Sequence, residues 1–216
     1  MTQRPVMYSM GKSSCCWRVR AVLAHKGIEY DNVIVNTFTN ENKNEAYRRI
    51  NPNQKIPSLA IDGHVLTQSI AMIEYLEETH PTPPLLPADA VGRAHVRAIV
   101  DLIGADIQPI QSLSVLREIS KDAAADEQPA RMQAWATKWI ARGFEALEAH
   151  LQTTAGTYCF GETLTLADVY LLPQVNNARI FKMDLAAFPT ILRIAATLDE
   201  ESMFKSTHPS TLNDNP

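Results

Sequence analysis

The segment Ser13-Ser14-Cys15-Cys16-Trp17-Arg18-Val19-Arg20 concentrates hydroxyls, thiols and cations within eight positions. It falls between an apolar strand signal, Val6-Met7-Tyr8-Ser9, and a helical one, Ser13 to Lys26. In the latter, Cys16, Val19, Val22 and Leu23 share a face and Gly27 supplies the stop. A helix that starts here presents backbone N–H groups with no intrahelical acceptor, at the positive end of its dipole. A thiol held at that point shifts toward thiolate, its reactive form. A serine hydroxyl beside it either donates to the sulfur anion or caps the helix, and two serines can divide the roles. Cys15-Cys16 is not a C-x-x-C pair, which argues against disulfide oxidoreduction. His25, His64, His80, His95, His150 and His208 show no metal-ligand spacing with Cys, Asp or Glu, so no metal site is expected.

The elements that must hold this segment follow from the rest of the pattern. Tyr30 to Val35 reads as a second strand and Glu41 to Ile50 as a short helix closed by Asn51-Pro52. Ser58-Leu59-Ala60-Ile61 and Val65-Leu66-Thr67 flank Asp62-Gly63, a two-residue hairpin signal. Ser69 then opens a helix through Ile70, Ile73, Tyr75 and Leu76. His80 to Pro87 carries four of the thirteen prolines, so it is a linker or a rigid wrap. Beyond it strand signals vanish. Gly92 to Ser120 reads as a helix bent near Pro109. Met132, Trp135, Trp139, Ile140, Gly143, Phe144, Leu147 and Leu151 form one stripe at helical spacing. Leu166 to Lys182 and Thr190 to Asp199 are further helices, the first opened by a Thr165-Leu166-Ala167-Asp168 cap.

Composition narrows the function classes. The 216 residues are 45% hydrophobic and 20% charged, which is enough apolar material for a sizeable core. A net charge of −4 speaks against a general nucleic-acid surface. No run reaches the ~18 apolar residues of a membrane span, and Met1-Thr2-Gln3-Arg4-Pro5 lacks the apolar run of a secretory signal. An odd count of three cysteines, two of them adjacent, fits a reduced setting, and a cytoplasmic protein is the expectation. The polar end, Thr207 to Pro216, shows no core-facing pattern and is expected to fray.

A βαβ unit, then αββα, then helices alone resembles the glutathione transferase plan. That plan joins an α/β thioredoxin-like N-terminal domain, here residues 1–83, to an all-α C-terminal domain, here residues 88–216. Ile56-Pro57 stands where that fold keeps a cis proline. Ser-Ser-Cys-x-Trp-Arg-Val-Arg resembles the signature of the zeta class, and the likeness runs from Val6 to about Pro209. It includes Gln68-Ser69 leading into Ile73-Glu74-Tyr75-Leu76-Glu77, Ile107-Gln108-Pro109 within Arg93 to Leu116, Pro173-Gln174-Val175, and Phe181-Lys182-Met183-Asp184-Leu185.

The resemblance implies a homodimer that uses glutathione as a cofactor to isomerise the dicarboxylate maleylacetoacetate to its fumaryl form, in tyrosine and phenylalanine breakdown. It implies that the glutathione sulfur lies near Ser13, Ser14 and Cys15, with Ser13 stabilising the thiolate. The backbone of Ile56 pairs with the cysteinyl unit. Gln68 and Ser69 hold the γ-glutamyl carboxylate, and Gln108 with Ser112, Leu113 and Ser114 complete the site. The chain departs from the pattern twice. Lys12 stands where many relatives carry Arg before Ser-Ser-Cys, keeping charge without the bidentate fork. Ile180 stands where many carry Arg before the Phe, and Arg179 is one residue earlier, about 100° around a helix. Lys12 and Arg179 are the candidates for substrate carboxylates, although Arg179 also reads as a surface charge. Arg20 and Arg117 read as solvated or structural. Two alternatives stand beside this reading. One is a maleylpyruvate isomerase of the same fold, whose members lack Ser-Ser-Cys and carry extra arginines where this chain has Leu113-Ser114. The other is a non-catalytic glutathione-transferase-like interaction module.

Overall fold

The computed structural model describes residues 4–212, which divide into two compact units. The first comprises the residues up to Leu85 together with those from Glu200 onward, and the second is Leu86–Asp199.

The first unit is built on a four-stranded sheet of order β2-β1-β3-β4, with β1 Val6–Ser9, β2 Asp31–Ile34, β3 Ser58–Ile61 and β4 His64–Thr67. β1 and β2 are parallel, so a crossover must join them, and α1 (Ser14–His25) supplies it. The α1 face predicted from sequence is buried, with Cys16, Val19, Val22 and Leu23 all shielded from solvent. Gly27, at φ +66°, ends the helix in a conformation that other residues rarely adopt. β3 and β4 form the expected hairpin, with Asp62 and Gly63 both at positive φ (51° and 79°), as its two-residue turn requires. Between β2 and β3 a 3-10 turn at Glu41–Lys43 leads into the short α2, Glu45–Ile50. α3 (Ser69–Thr79) follows the hairpin.

The proline-rich segment is a wrap held in place. Lys26 donates from its ammonium to Glu77 Oε2 and to the Pro83 carbonyl, both at 2.6 Å, while Glu77 Oε1 accepts from the Leu85 N–H at 2.9 Å. Both charged side chains are buried, so each relies on the other for its compensation.

The chain's last helix, α9 (Ser202–Thr207), lies against α1. Its Phe204 meets the Trp17 ring edge-on at 6.0 Å between centroids, and Thr207 Oγ1 accepts from Trp17 Nε1 at 3.1 Å. This corrects the expected domain assignment: the all-helical domain 88–216 loses its end to the first unit, because Trp17 and Arg20 need a cover that α9 provides. It also corrects the expectation that everything from Thr207 frays, since Thr207 is buried and Pro209–Thr211 form a 3-10 turn. Asn213 to Pro216 lie outside the described residues.

The second unit contains α4 (Ala90–Asp101), α5 (Leu113–Ser120), α6 (Gln128–Thr154), α7 (Leu166–Ile180) and α8 (Pro189–Glu200, whose last residue falls in the first unit). The single bent helix expected over 92–120 is two helices. A π-helical turn at Leu102–Ile107 follows α4, with Gln108 N–H bonded five residues back to the Ile103 carbonyl. Pro109, which has no N–H, helps separate that turn from α5. Gly143 of α6 packs on Ile107, which occupies the space a Cβ would need. In α6 the buried stripe is Ala136, Ile140, Phe144, Leu147 and Leu151, while Met132, Trp135 and Trp139 are only half-buried. The cap on α7 forms as read: buried Asp168 accepts from Thr165 N–H (2.8 Å) and Oγ1 (3.0 Å), and also from Cys159 N–H (2.8 Å). Burial pushes the Asp168 carboxyl above its ordinary range, against the pull of those donors.

Candidate active site

Strand register gathers the first unit's candidate residues at one end of the sheet. Tyr8 near the end of β1 pairs with Ser58 at the start of β3, and Ser58 pairs with Thr67 at the end of β4. Met10 to Cys15, Ile56-Pro57 and Gln68-Ser69 are the continuations of those three points, so they emerge at the same end of the sheet. The Ile56–Pro57 peptide is cis.

Ser13 is the N-cap of α1. Its Oγ accepts from Cys16 N–H at 3.3 Å, and its own N–H donates to the Met10 carbonyl at 3.2 Å. Capping occupies an oxygen lone pair and leaves the hydroxyl a proton to donate, so both roles read from sequence are compatible in one residue. Ser14 opens the helix and Cys15 is half-buried beside it. Cys15 Sγ receives a hydrogen bond from Arg18 Nη2 at 2.7 Å. Cys16 points inward: burial pushes its thiol up to about 11, with Arg20 and Ser13 opposing. Lys12 is exposed, its ammonium 6.0 Å from the centre of the Phe38 ring.

Gln68 precedes α3 with φ 68° and ψ 117°, an unusual backbone for a residue with a side chain. This kink places Ser69 at the first turn of α3, whose N–H groups suit a carboxylate. Asn42 was not anticipated. Its Nδ2 donates to the Gln54 carbonyl at 2.7 Å, and its buried Oδ1 has no partner among the described residues. That leaves an acceptor on a side chain tied to Gln54, two residues before Ile56, that a ligand N–H would satisfy. A turn asparagine carries no sequence signal distinguishing it from a capping residue.

In the second unit, Gln108 closes the π-helical turn and is half-buried. Ser112 starts α5, with Leu113 and Ser114 in its first turn, and the Ser112 and Ser114 hydroxyls lie 3.2 Å apart. Gln111, also unanticipated, is buried and donates to Gln174 Oε1 of α7 at 2.6 Å, which holds the turn carrying these residues. Arg179 is committed elsewhere. Its guanidinium binds Asp199 bidentately, Nη2 at 2.9 Å and Nη1 at 3.4 Å, with both side chains more than a third exposed. Of the two readings of Arg179, the geometry matches a surface ion pair. Ile180, in the position where many relatives carry an arginine, is 57% exposed.

Two family models match the chain: glutathione S-transferase N-terminal domain over residues 12–79 and C-terminal domain over residues 122–209. A bacterial maleyl pyruvate isomerase, described as a zeta-class glutathione S-transferase, superposes with a TM-score of 0.93 at 40% identity, covering 98% of this chain and 100% of that one. The chain belongs to the zeta-class glutathione transferases. A probable maleylacetoacetate isomerase from Drosophila melanogaster is 48% identical to this zeta-class transferase over 100% of its chain and 86% of the fly protein. The structure of a maleylacetoacetate isomerase from Anaeromyxobacter dehalogenans with glutathione in its active site has a TM-score of 0.88 at 38% identity, both chains fully covered.

The zeta-class transferase has side chains suited to glutathione in its first unit. Two helix N-termini, a hydroxyl with a proton to give and an unpaired buried acceptor at Asn42 match a tripeptide with carboxylates, amide N–H groups and a thiol. Among the described residues no group of three His, Cys, Asp or Glu is arranged to hold a metal, and no helix is long and apolar enough to cross a membrane.

Proposed function

We propose that this zeta-class transferase is a glutathione-dependent isomerase of maleylacetoacetate, acting in tyrosine and phenylalanine breakdown. The observation that carries the reading is the convergence of Ser13, Ile56 and Gln68-Ser69 at one end of the sheet in a chain of this class. Bound glutathione supplies a thiolate that adds reversibly to the conjugated cis double bond, leaving a single bond free to rotate.

The chain's own residues bind and orient. Ser13 donates its hydroxyl proton to the sulfur anion, and the first N–H groups of α1 add their dipole. Ser14 and Cys15 support that corner. Ile56 offers its backbone to the cysteinyl unit as a neighbouring strand would, and Asn42 Oδ1 takes a ligand N–H. Gln68 and Ser69 hold the γ-glutamyl carboxylate at the start of α3. Gln108, Ser112, Leu113 and Ser114 are assigned to glutathione on the family resemblance alone. Lys12 is the cation for a substrate carboxylate. A protein with net charge −4 does not attract a dianion overall, so a local charge must receive it. Arg179, paired with Asp199, is left out of this role.

The chain acts as a homodimer. Val65 on the edge strand β4 and Ile70 on α3 are 50% and 37% exposed, an apolar pair suited to a partner surface. A light-scattering mass near the 24.0 kDa of one chain at micromolar concentration sinks this assignment. A cytoplasmic location suits three free thiols.

The deciding experiment is turnover of maleylacetoacetate and of maleylpyruvate with and without glutathione. Glutathione-dependent isomerisation of the first, at higher kcat/KM, is expected. Preference for maleylpyruvate, the reading favoured by the close fold match, replaces the substrate. Absence of both activities with glutathione still bound points to an interaction module.

A further inference from the structure

Arg20 is 1% exposed, and its guanidinium donates to three backbone carbonyls. Nη1 donates to Met10 O at 3.3 Å, while Nη2 donates to Gly11 O at 3.0 Å and to Thr207 O at 3.3 Å. A buried guanidinium is costly unless its donors are used, and its planar fork suits several acceptors held at fixed positions. Two of those acceptors belong to the turn just before α1. Met10 O is shared, because it also accepts the N–H of Ser13.

The third acceptor is anchored independently. Thr207 ends α9, where carbonyls lack intrahelical donors. Its side chain accepts from Trp17 Nε1 and donates to Met203 O at 2.6 Å, and the His208 ring stands edge-on to Trp17 at 5.1 Å. Arg20 therefore bridges the turn before α1 to a helix end that is firmly packed. Its charge also reaches the start of α1, where it opposes the effect of burial on Cys16.

We propose that Arg20 is a positioning residue for the active site: by clasping Met10, Gly11 and Thr207 it sets the turn that presents the Ser13 hydroxyl to the glutathione sulfur. The proposal rests on the glutathione reading of the site and deepens it. It makes the chain's C-terminal segment part of the device that holds the thiolate, although Thr207 lies 187 residues from Arg20 in sequence.

The test uses the full chain with Arg20→Met, Arg20→Lys, Ser13→Ala and the double variant Ser13→Ala/Arg20→Met. Glutathione alone is the probe, and ionisation of the bound thiol is followed by thiolate absorbance as pH is varied. Arg20→Met is expected to move that ionisation up by about one pH unit, a tenfold change, and to lower kcat about tenfold with substrate KM within about twofold. Arg20→Lys, which keeps the charge on a single-point donor, is expected to show a smaller shift. In the Ser13→Ala background the Arg20→Met shift is expected to disappear, since Arg20 acts through Ser13. An unmoved ionisation in folded Arg20→Met overturns the proposal, as does a full shift that persists without Ser13. If Arg20→Met does not fold, a wild-type ionisation and kcat in Arg20→Lys overturns it. A wild-type chain that binds glutathione without isomerising overturns the functional reading while the thiol titration still decides the role of Arg20. A chain that binds no glutathione overturns both.

Discussion

Arg18 reaches back one helical turn and donates from Nη2 to the sulfur of Cys15 at 2.7 Å, while Cys16, the next residue along, turns its thiol into the core. Adjacent cysteines thus have opposite environments. One is half-buried at the mouth of a helix, and the other is fully enclosed with its thiol pushed up to about 11. Cys159 is enclosed too, and burial together with Asp168 pushes it well above its ordinary value. Alkylation of the folded protein at neutral pH should therefore mark Cys15 and leave Cys16 and Cys159 untouched until the chain is unfolded. Peptide mapping after limited labelling checks this, and early modification of Cys16 contradicts it.

The Cys16 shift has a stability consequence. Its folded value lies above the ordinary 9.0, so the folded state retains a proton that the unfolded chain releases. The associated stability is complete below pH 9.0 and is lost as pH rises from there to about 11. Two pH units correspond to about 3 kcal/mol. Urea unfolding of wild type and Cys16→Ala at neutral and alkaline pH should show the wild-type advantage shrinking by that order. A constant difference between the two proteins across the range refutes the assignment.

Ser13→Ala should cost more activity than Cys15→Ala. Removing one fixed donor to an anion lowers rate by ~10²–10³, and Ser13 also caps α1. Cys15→Ala should act mainly on substrate KM. Steady-state kinetics on both variants, with unfolding midpoints to separate the cap from the chemistry, decide it. A near-wild-type kcat in Ser13→Ala removes Ser13 from the mechanism.

Lys12→Ala should raise the KM of the dicarboxylate substrate about ten- to a hundredfold, with glutathione affinity nearly unchanged, as for loss of a charge-assisted contact of ~1.5–3 kcal/mol. Arg179→Ala should leave both constants close to wild type, because its guanidinium serves Asp199 at the surface. The reverse ranking would reinstate Arg179 as the carboxylate ligand.

Glu77→Ala should be the most destabilising single change outside the apolar core. It strands the buried Lys26 ammonium and the Leu85 N–H together. Breaking one partner of a buried pair costs about 3–5 kcal/mol. Denaturant unfolding measures the loss, and an effect below about 1 kcal/mol would mean that water reaches Lys26.

The readings that survive contact with the structure are those whose cause is local. Asp62-Gly63 turns the hairpin because two consecutive residues must take positive φ, and the chain places there two residue types that tolerate it. Thr165 and Asp168 cap α7 because the donors and acceptors involved lie within one turn. Ser13 sits at a helix start because the apolar period begins immediately after it. The parallel pairing of β1 with β2 follows from the α1 crossover between them. Each of these is an interaction between near neighbours, and spacing alone describes it.

What the chain order does not encode is which distant groups become partners. The polar C-terminal segment resembles a fraying tail until Trp17 and Arg20 are seen to need Thr207. A buried arginine reads like a solvated one, because its acceptors are backbone carbonyls that every residue possesses. Arg179 stays ambiguous until Asp199, twenty residues away on another helix, takes both of its Nη groups. Asn42 and Gln111 acquire meaning only from burial, which leaves one amide oxygen without a partner among the described residues and ties the other side chain to Gln174. Local pattern thus determined the elements and the corner where the candidate residues gather. Long-range packing decided which charged and polar groups are spent on holding that corner in place, because their partners are chosen by distance in space.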